Sequence, residues 1–275
     1  MIGQKNLLKI IDEQIDMEEF PRFSIIVGAE GSGKKTLTLS LAYALECQRV
    51  FIEPKVDAIR EMIRNAYKVQ TPTLYVILDG NMSESAKNAM LKICEETPKN
   101  AYICMLVSNT ANILDTIRSR AGIYYMQPYT PDELLEYANV VDEKQKEIIM
   151  DLCETPGDVD KLLFTGINEF YSFVEKVVDN IAEVSSANAL KIAEQIDIKN
   201  NDAEKYDIAL FLRAFKSVCG NRMRKAVAEN DLESQLYYSA GIKVVTNTLA
   251  QLNITGINKG ALLDIFILDI RREWA

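Results

Sequence analysis

The stretch GAEGSGKKT, Gly28–Thr36, carries the first recognisable chemistry in the chain. Gly28, Gly33 and Lys34 fit G-x-x-x-x-G-K, a loop whose backbone N–H groups cradle phosphates while its lysine reaches the β- and γ-phosphates. The next position normally supplies a Ser or Thr hydroxyl to magnesium. Here it is Lys35, which adds a positive charge instead. Thr36 comes one residue late, and one helical step turns a side chain by about 100°, so it does not substitute. Two readings stand side by side. Gly28, Glu30, Gly31, Ser32, Gly33, Lys34, Lys35 and Thr36 hold a phosphate, or they form a tight turn kept from a nucleotide-binding fold.

Two further stretches bear on the same chemistry. In LYVILDGNMS, Asp79 ends an apolar run and is placed either to hold an ion through water or to cap a strand. The acid that would polarise an attacking water belongs next, and Gly80 occupies that place. Lys35 and Gly80 are two independent losses in one site, and together they argue against turnover. In TIRSRAG, Arg118 and Arg120 flank Ser119 just before a strand. A solvated pair is the plain reading. The alternative is an arginine finger, projecting from a subunit edge to a neighbour's triphosphate and supplying charge in trans.

Other catalytic classes drop out by composition. The chain has no histidine, which removes Ser-His, Cys-His and His–metal chemistry. The five cysteines, Cys47, Cys94, Cys104, Cys153 and Cys219, are far apart and form no C-x-x-C pair, so neither zinc nor a dithiol is supported. No apolar run approaches the length that crosses a bilayer, and the polar, acidic opening MIGQKNLLKIIDEQID is unlike a secretory signal. A cytoplasmic location without membrane contact is expected. The 275 residues, 48% hydrophobic and 26% charged, suit an ordinary globular chain of two or three domains.

The elements that must position these residues alternate at first. FSIIV (23–27), RVFIE (49–53), LYVIL (74–78), YICMLV (102–107) and IYYM (123–126) read as strands. Helices from Lys34, over 56–68 and over the stretch after Ser83 separate them. Ser83 is the expected N-cap of the last, whose apolar stripe is Ala86, Ala89, Met90, Ile93 and Cys94. Continuous apolar strands between helices predict a parallel sheet covered on both faces. After Pro128 the alternation stops. Thr130, Pro131 and Glu133 predict a capped helix start, EKQKEIIMDLCET and PGDVDKLLFTG give two more helices, and from Ser185 onward the chain reads as helix throughout.

The charge follows the same division. Residues 1–127 hold 15 Lys+Arg and 15 Asp+Glu, while 128–275 hold 16 and 25, which accounts for the whole net charge of −9. So acidic a chain is a poor free-standing nucleic-acid binder.

These stretches, with the opening IGQ and the helix AKNAMLKICEETP followed by a strand and IRSR, resemble the bacterial clamp-loader AAA+ subunits. The resemblance is strong over 1–127 and consistent in layout beyond. It implies an α/β AAA+ P-loop parallel-sheet domain (1–127), a three-helix lid domain (128–182) and a helical C-terminal collar domain (183–275). Asp79 matches the strand-end acid and Ser108 the polar sensor at the end of the fourth strand. Ser119 and Arg120 match the finger, with Ala121 in place of its usual Cys. Asp158 and Asp160 stand where active members offer a sensor arginine. The family's zinc module is absent, since Cys47 is the only cysteine in its interval. The resemblance further implies weak ATP binding, a depleted magnesium site and no zinc. The implied partners are the other subunits of a hetero-pentameric ring, the sliding clamp, and primer–template DNA reached through the complex. Rival readings are an active clamp-loader ATPase of the gamma type, a stand-alone P-loop enzyme, and an AAA+ replication accessory protein of a mobile element.

Lys35 and Gly80 generate the first test. The purified chain with magnesium is expected to show no steady-state ATP turnover above background at pH 7. A robust rate that vanishes in Lys34→Ala would overturn that expectation.

Overall fold

The structure is a computed structural model and describes residues 2–78, 82–111, 113–196, 206–252, 254 and 257–274. The chain folds as two compact units, residues 1–133 with 155–157, and residues 134–154 with 158–275. Most of the expected lid (128–182) and the whole of the expected collar (183–275) fall in the second unit.

The first unit is built on β1 (Phe23–Val27), β2 (Gln48–Ile52), β3 (Thr73–Ile77), β4 (Ala101–Val107) and β5 (Gly122–Tyr125). They form one sheet of order β2-β3-β4-β1-β5, every pair parallel. The expected α/β parallel-sheet architecture is therefore present. Each strand begins and ends within about a residue of its apolar run, because ladder hydrogen bonds rather than hydropathy set its ends. Thr73, for instance, is polar yet pairs with both Gln48 and Ala101.

The pleat sends alternate residues of each apolar run to opposite faces. Phe23, Ile25, Val27, Tyr75, Ile77, Ile103 and Met105 pack with α3 (Val56–Ala66), α4 (Glu84–Glu95) and the one-turn helix α5 (Asp115–Arg118). Ile26, Leu74, Val76, Cys104 and Leu106 pack on the other face with α1 (Lys5–Asp16) and α2 (Lys34–Ala44). Burial on both faces explains why β1, β3 and β4 read as unbroken apolar runs, while the edge strand β2 is largely exposed. Ser83 caps α4 as expected, accepting from the Ala86 N–H. Thr130 and Glu133 form the reciprocal capping box, the Glu133 N–H donating to Thr130 Oγ1 at 3.3 Å and the Thr130 N–H to Glu133 Oε2 at 2.9 Å.

Further helices are α6 (Pro131–Ala138), α7 (Glu143–Leu152), α8 (Pro156–Thr165), α9 (Ile167–Asn180), α10 (Ser186–Ile196), α11 (Ile208–Ala228), α12 (Leu232–Leu252) and α13 (Lys259–Trp274). The span 128–182 thus holds four helices among the described residues, one more than the sequence reading expects. The addition is α9, whose Ile167, Phe170, Tyr171, Val174, Val177 and Val178 form a helical stripe that is buried. Gly166, at φ +80°, separates it from α8 by a single residue.

The core of the second unit is aromatic. Phe215 meets Phe266 edge to face at 5.2 Å, and Trp274 stacks on Tyr237 at 4.3 Å. The Trp274 indole donates to the Tyr237 carbonyl at 2.7 Å, and an added Cβ at Gly241 would lie 2.5 Å from its ring. The ALLDIFILDI stretch is core here, with Leu263, Phe266, Ile267 and Ile270 fully buried.

Asp207 caps α11, accepting from the Ala209 and Leu210 N–H groups at 3.0 and 3.1 Å and pairing with Lys161 at 2.8 Å. Burial pushes its carboxyl up, but the Lys161 ammonium and the two N–H groups outweigh that and hold it below the usual carboxylate range. A depressed folded value means that the ionised carboxylate stabilises the fold above pH about 4, and that this stability is lost as pH falls through the lower folded value. Asp207→Ala is expected to cost about 1–2 kcal/mol, the usual worth of a helix N-cap. Urea denaturation at pH 7 should show the loss, and it should shrink when repeated well below pH 4.

Candidate phosphate-loop site and a distant arginine

The loop leaves the C-terminal end of β1, which is hydrogen-bonded to β4 on one side and β5 on the other. The Gly28 N–H donates to the Val107 carbonyl at 3.0 Å, so the loop begins locked to the end of β4. Ser108, expected as the polar sensor, follows Val107 directly in the chain. An added Cβ at Gly28 would lie 2.6 Å from Met126 and 2.7 Å from Ser32 Oγ, so no side chain fits there.

Gly31 and Gly33 both adopt left-handed backbone, φ +76° and +85°, which glycine reaches without strain. Gly33 is also the N-cap of α2 and offers no side chain to cap it. Ser32 is buried, and its Oγ has no hydrogen-bond partner among the described residues. A buried, unpaired hydroxyl in a glycine-rich turn at a helix N-terminus is the set of donors a phosphate needs. Lys34 turns its ammonium back across the loop, donating to the Gly28 and Ala29 carbonyls at 2.5 and 2.8 Å. Glu30 is exposed at the tip.

The loop's described residues offer donors that suit a phosphate. Lys35 and Thr36 are both exposed on the first turn of α2. Thr38, the nearby buried hydroxyl, donates to the Lys35 carbonyl at 2.8 Å, and Arg49 of β2 donates to that same carbonyl at 3.1 Å. Asp79 and Gly80 lie outside the described residues. Among the described residues no cluster of three His, Cys, Asp or Glu is placed to hold a metal ion. Burial pushes the Cys94, Cys104, Cys153 and Cys219 thiols up to about 12, which leaves them unreactive at neutral pH.

Several residues that sequence reasoning did not single out brace the loop. The Tyr129 hydroxyl donates to the Ser32 carbonyl at 2.9 Å. Burial raises that phenol, aided by the Glu133 carboxylate, so it stays a donor at neutral pH. Gln4 is buried and pairs its amide with the Gln127 backbone in both directions, each bond 2.7 Å. From far along the chain, the Gly157 N–H donates to the Gly31 carbonyl at 3.0 Å. The approach is so close that a Cβ at Gly157 would lie 2.5 Å from Gly31 Cα, and one at Gly31 would lie 2.7 Å from Thr155 Oγ1. PGD at 156–158 marks a glycine just inside a helix start, but nothing in it says what that glycine meets. Asp158 and Asp160 serve the second unit: Asp158 pairs with Arg213 at 3.0 Å and accepts from the Glu154 N–H, and Asp160 accepts from the Tyr137 hydroxyl at 2.9 Å.

Arg120 is not brought to this loop. It lies just before β5, and β5 runs parallel to β1 with Gly122 beside Ser24 and Tyr125 beside Val27. The arginine therefore stands at the N-terminal edge of the sheet and the phosphate loop at the C-terminal edge. Between Ser24 and Val27 alone lie roughly 10 Å of strand. Arg118 ends α5 and pairs with Asp115 at 2.7 Å, while Ser119 Oγ donates to the Thr116 carbonyl at 3.2 Å.

The chain matches the family model described as "DNA polymerase III, delta subunit" over residues 51–130. It is 25% identical over 191 residues to the DNA polymerase III subunit gamma of Buchnera aphidicola subsp. Schizaphis graminum, covering 55% of this chain and 53% of that one. The chain thus spans about half the length of that relative. Replication factor C small subunit 1 of Pyrobaculum aerophilum is 26% identical over 225 residues, 69% of this chain and 67% of its own. In structure, a DNA polymerase III gamma subunit-related protein of Thermotoga maritima superposes with a TM-score of 0.53 at 16% identity, covering 98% of this chain and all of that one. That last likeness is one of fold.

The Gly31–Gly157 contact generates a test of the loop. Gly157→Ala must push two backbone segments apart, at a cost of about 1–3 kcal/mol for an overfilled contact. Thermal denaturation should register the loss, and titration with a fluorescent ATP analogue should show weaker binding than the parent chain.

Proposed function

We propose that this chain, a relative of the clamp-loader AAA+ family, is a non-hydrolysing subunit of the delta-prime type in a DNA polymerase III clamp loader. In this reading it binds ATP weakly at Gly28–Thr36, largely without regard to magnesium. It supplies Arg120 in trans to a neighbour's nucleotide. Its partners are the other subunits of a hetero-pentameric ring, the sliding clamp, and primer–template DNA met through the complex, so that the chain helps to load the clamp on primed DNA.

The observation that carries this reading is the placement of Arg120. An arginine at the sheet edge opposite its own phosphate loop serves no nucleotide held by that loop, and it suits a nucleotide presented by another subunit. Lys35, in the place of the magnesium hydroxyl, supports the absence of hydrolysis. ATP, where bound, would bring the phosphates that Ser32, Lys34 and the loop N–H groups hold. A second reading, an active ATPase of the gamma type, is favoured by the likeness to the Buchnera subunit. The lysine at position 35 counts against it.

The decisive experiment uses the ring assembled with its cognate ATPase subunits. Removing a finger typically lowers turnover at the site it completes by ~10³–10⁵. Arg120→Ala should therefore abolish one site's contribution and lower total DNA-stimulated ATPase only in part. Clamp loading should fall more steeply, since it needs the sites to act together. Arg118→Ala, whose partner is Asp115, should have the smaller effect. Wild-type ATPase and loading in a fully assembled Arg120→Ala ring would refute the finger and leave the arginines as a solvated pair.

A further inference from the structure

Arg120 already has partners within its own unit. Its Nη2 lies 3.0 Å from Glu95 Oε1, and its Nη1 donates to the Thr116 carbonyl at 2.8 Å. Glu95 is the last residue of α4, and Arg120 follows α5 by two positions. The two elements meet through buried neighbours: Ile93 and Cys94 on one side and Ile117 on the other belong to a single core cluster. The backbone positions of Glu95 and Arg120 are thus fixed side by side, while their side chains are 52% and 41% exposed and free to change partner. Asp115, the other carboxylate close by, faces Arg118.

The terminal nitrogens are the groups an arginine offers to phosphate oxygens. In this pose both are engaged. We propose that Glu95 is a positioning residue that parks Arg120, and that the arginine acts only by exchanging Glu95 for the phosphate oxygens of a nucleoside triphosphate on the neighbouring subunit. The inference rests on the finger reading and adds a condition to it. An exposed ion pair is a weak hold, a bias of roughly two- to five-fold at most. A triphosphate carries several negative charges and offers an arginine two parallel hydrogen bonds. The exchange is therefore favourable when the neighbour is loaded, and the parked pose is kept when it is not. Glu95 thereby ties the arginine's engagement to the neighbour's nucleotide rather than to assembly alone.

The test compares ATP turnover of the assembled ring carrying Glu95→Gln, Glu95→Asp, Arg120→Ala or the Glu95→Gln/Arg120→Ala pair. At sub-saturating ATP, Glu95→Gln should raise the Arg120-dependent turnover by about two- to five-fold, and Glu95→Asp should stay near wild type. The double variant should match Arg120→Ala. The gain should shrink as added salt screens the pair in the wild-type ring, a dependence that a purely structural role would not give. If Arg120→Ala leaves turnover unchanged, the finger reading itself fails. If Arg120→Ala lowers turnover while Glu95→Gln leaves it at or below wild type, the finger stands and the parking role is overturned. Glu95 is exposed at a helix end, and an unchanged denaturation midpoint of the variant chain shows that the comparison is one of function.

Discussion

Everything in the first unit hangs on β1 being hydrogen-bonded along both edges. Its five residues are all buried, paired with β4 on one side and with β5 on the other. That double ladder decides where the phosphate loop starts and which edge of the sheet carries Arg120. The loop's own glycines then set its curvature, and Ser32 lies buried among them. A local motif becomes a site only because a long-range register holds its first residue still.

The acidic residues of the second unit have a different task. Asp158 is nearly buried and faces Arg213, whose side chain is also largely covered. Breaking such a pair leaves an uncompensated charge, so it fixes which groups meet even where its net stabilisation is small. Asp207 anchors the start of α11 in the same manner, with Lys161 beside it. These two acids are therefore internal framework, each matched by a cation of the same span, rather than part of a charged face.

Much of this was legible in the sequence. FSIIV, the caps at Ser83 and Thr130, and the apolar stripe from Ala86 to Cys94 are local patterns, and local physics decides them. The stripe of α9 has equally clear spacing, but Gly166 both ends one helix and begins another, and so reads as the edge of a loop. The partners of the phosphate loop were beyond reach for another reason. Gly157 meets Gly31, and Gln4 meets Gln127, across more than a hundred residues. No periodicity records such a meeting. Arg120 stands out in the sequence as a candidate, yet its link to Glu95 depends on α4 and α5 sharing a core, which only the folded chain reveals.

The sheet that holds the phosphate loop and Arg120 apart also makes them one body. No hinge lies between them: β1 and β5 are adjacent strands, and side chains pack both faces of the sheet. A tilt imposed at either edge must be passed to the other, as along a lever, because a close-packed interior deforms little. The phosphate loop and Arg120 therefore share one stiff frame within the first unit.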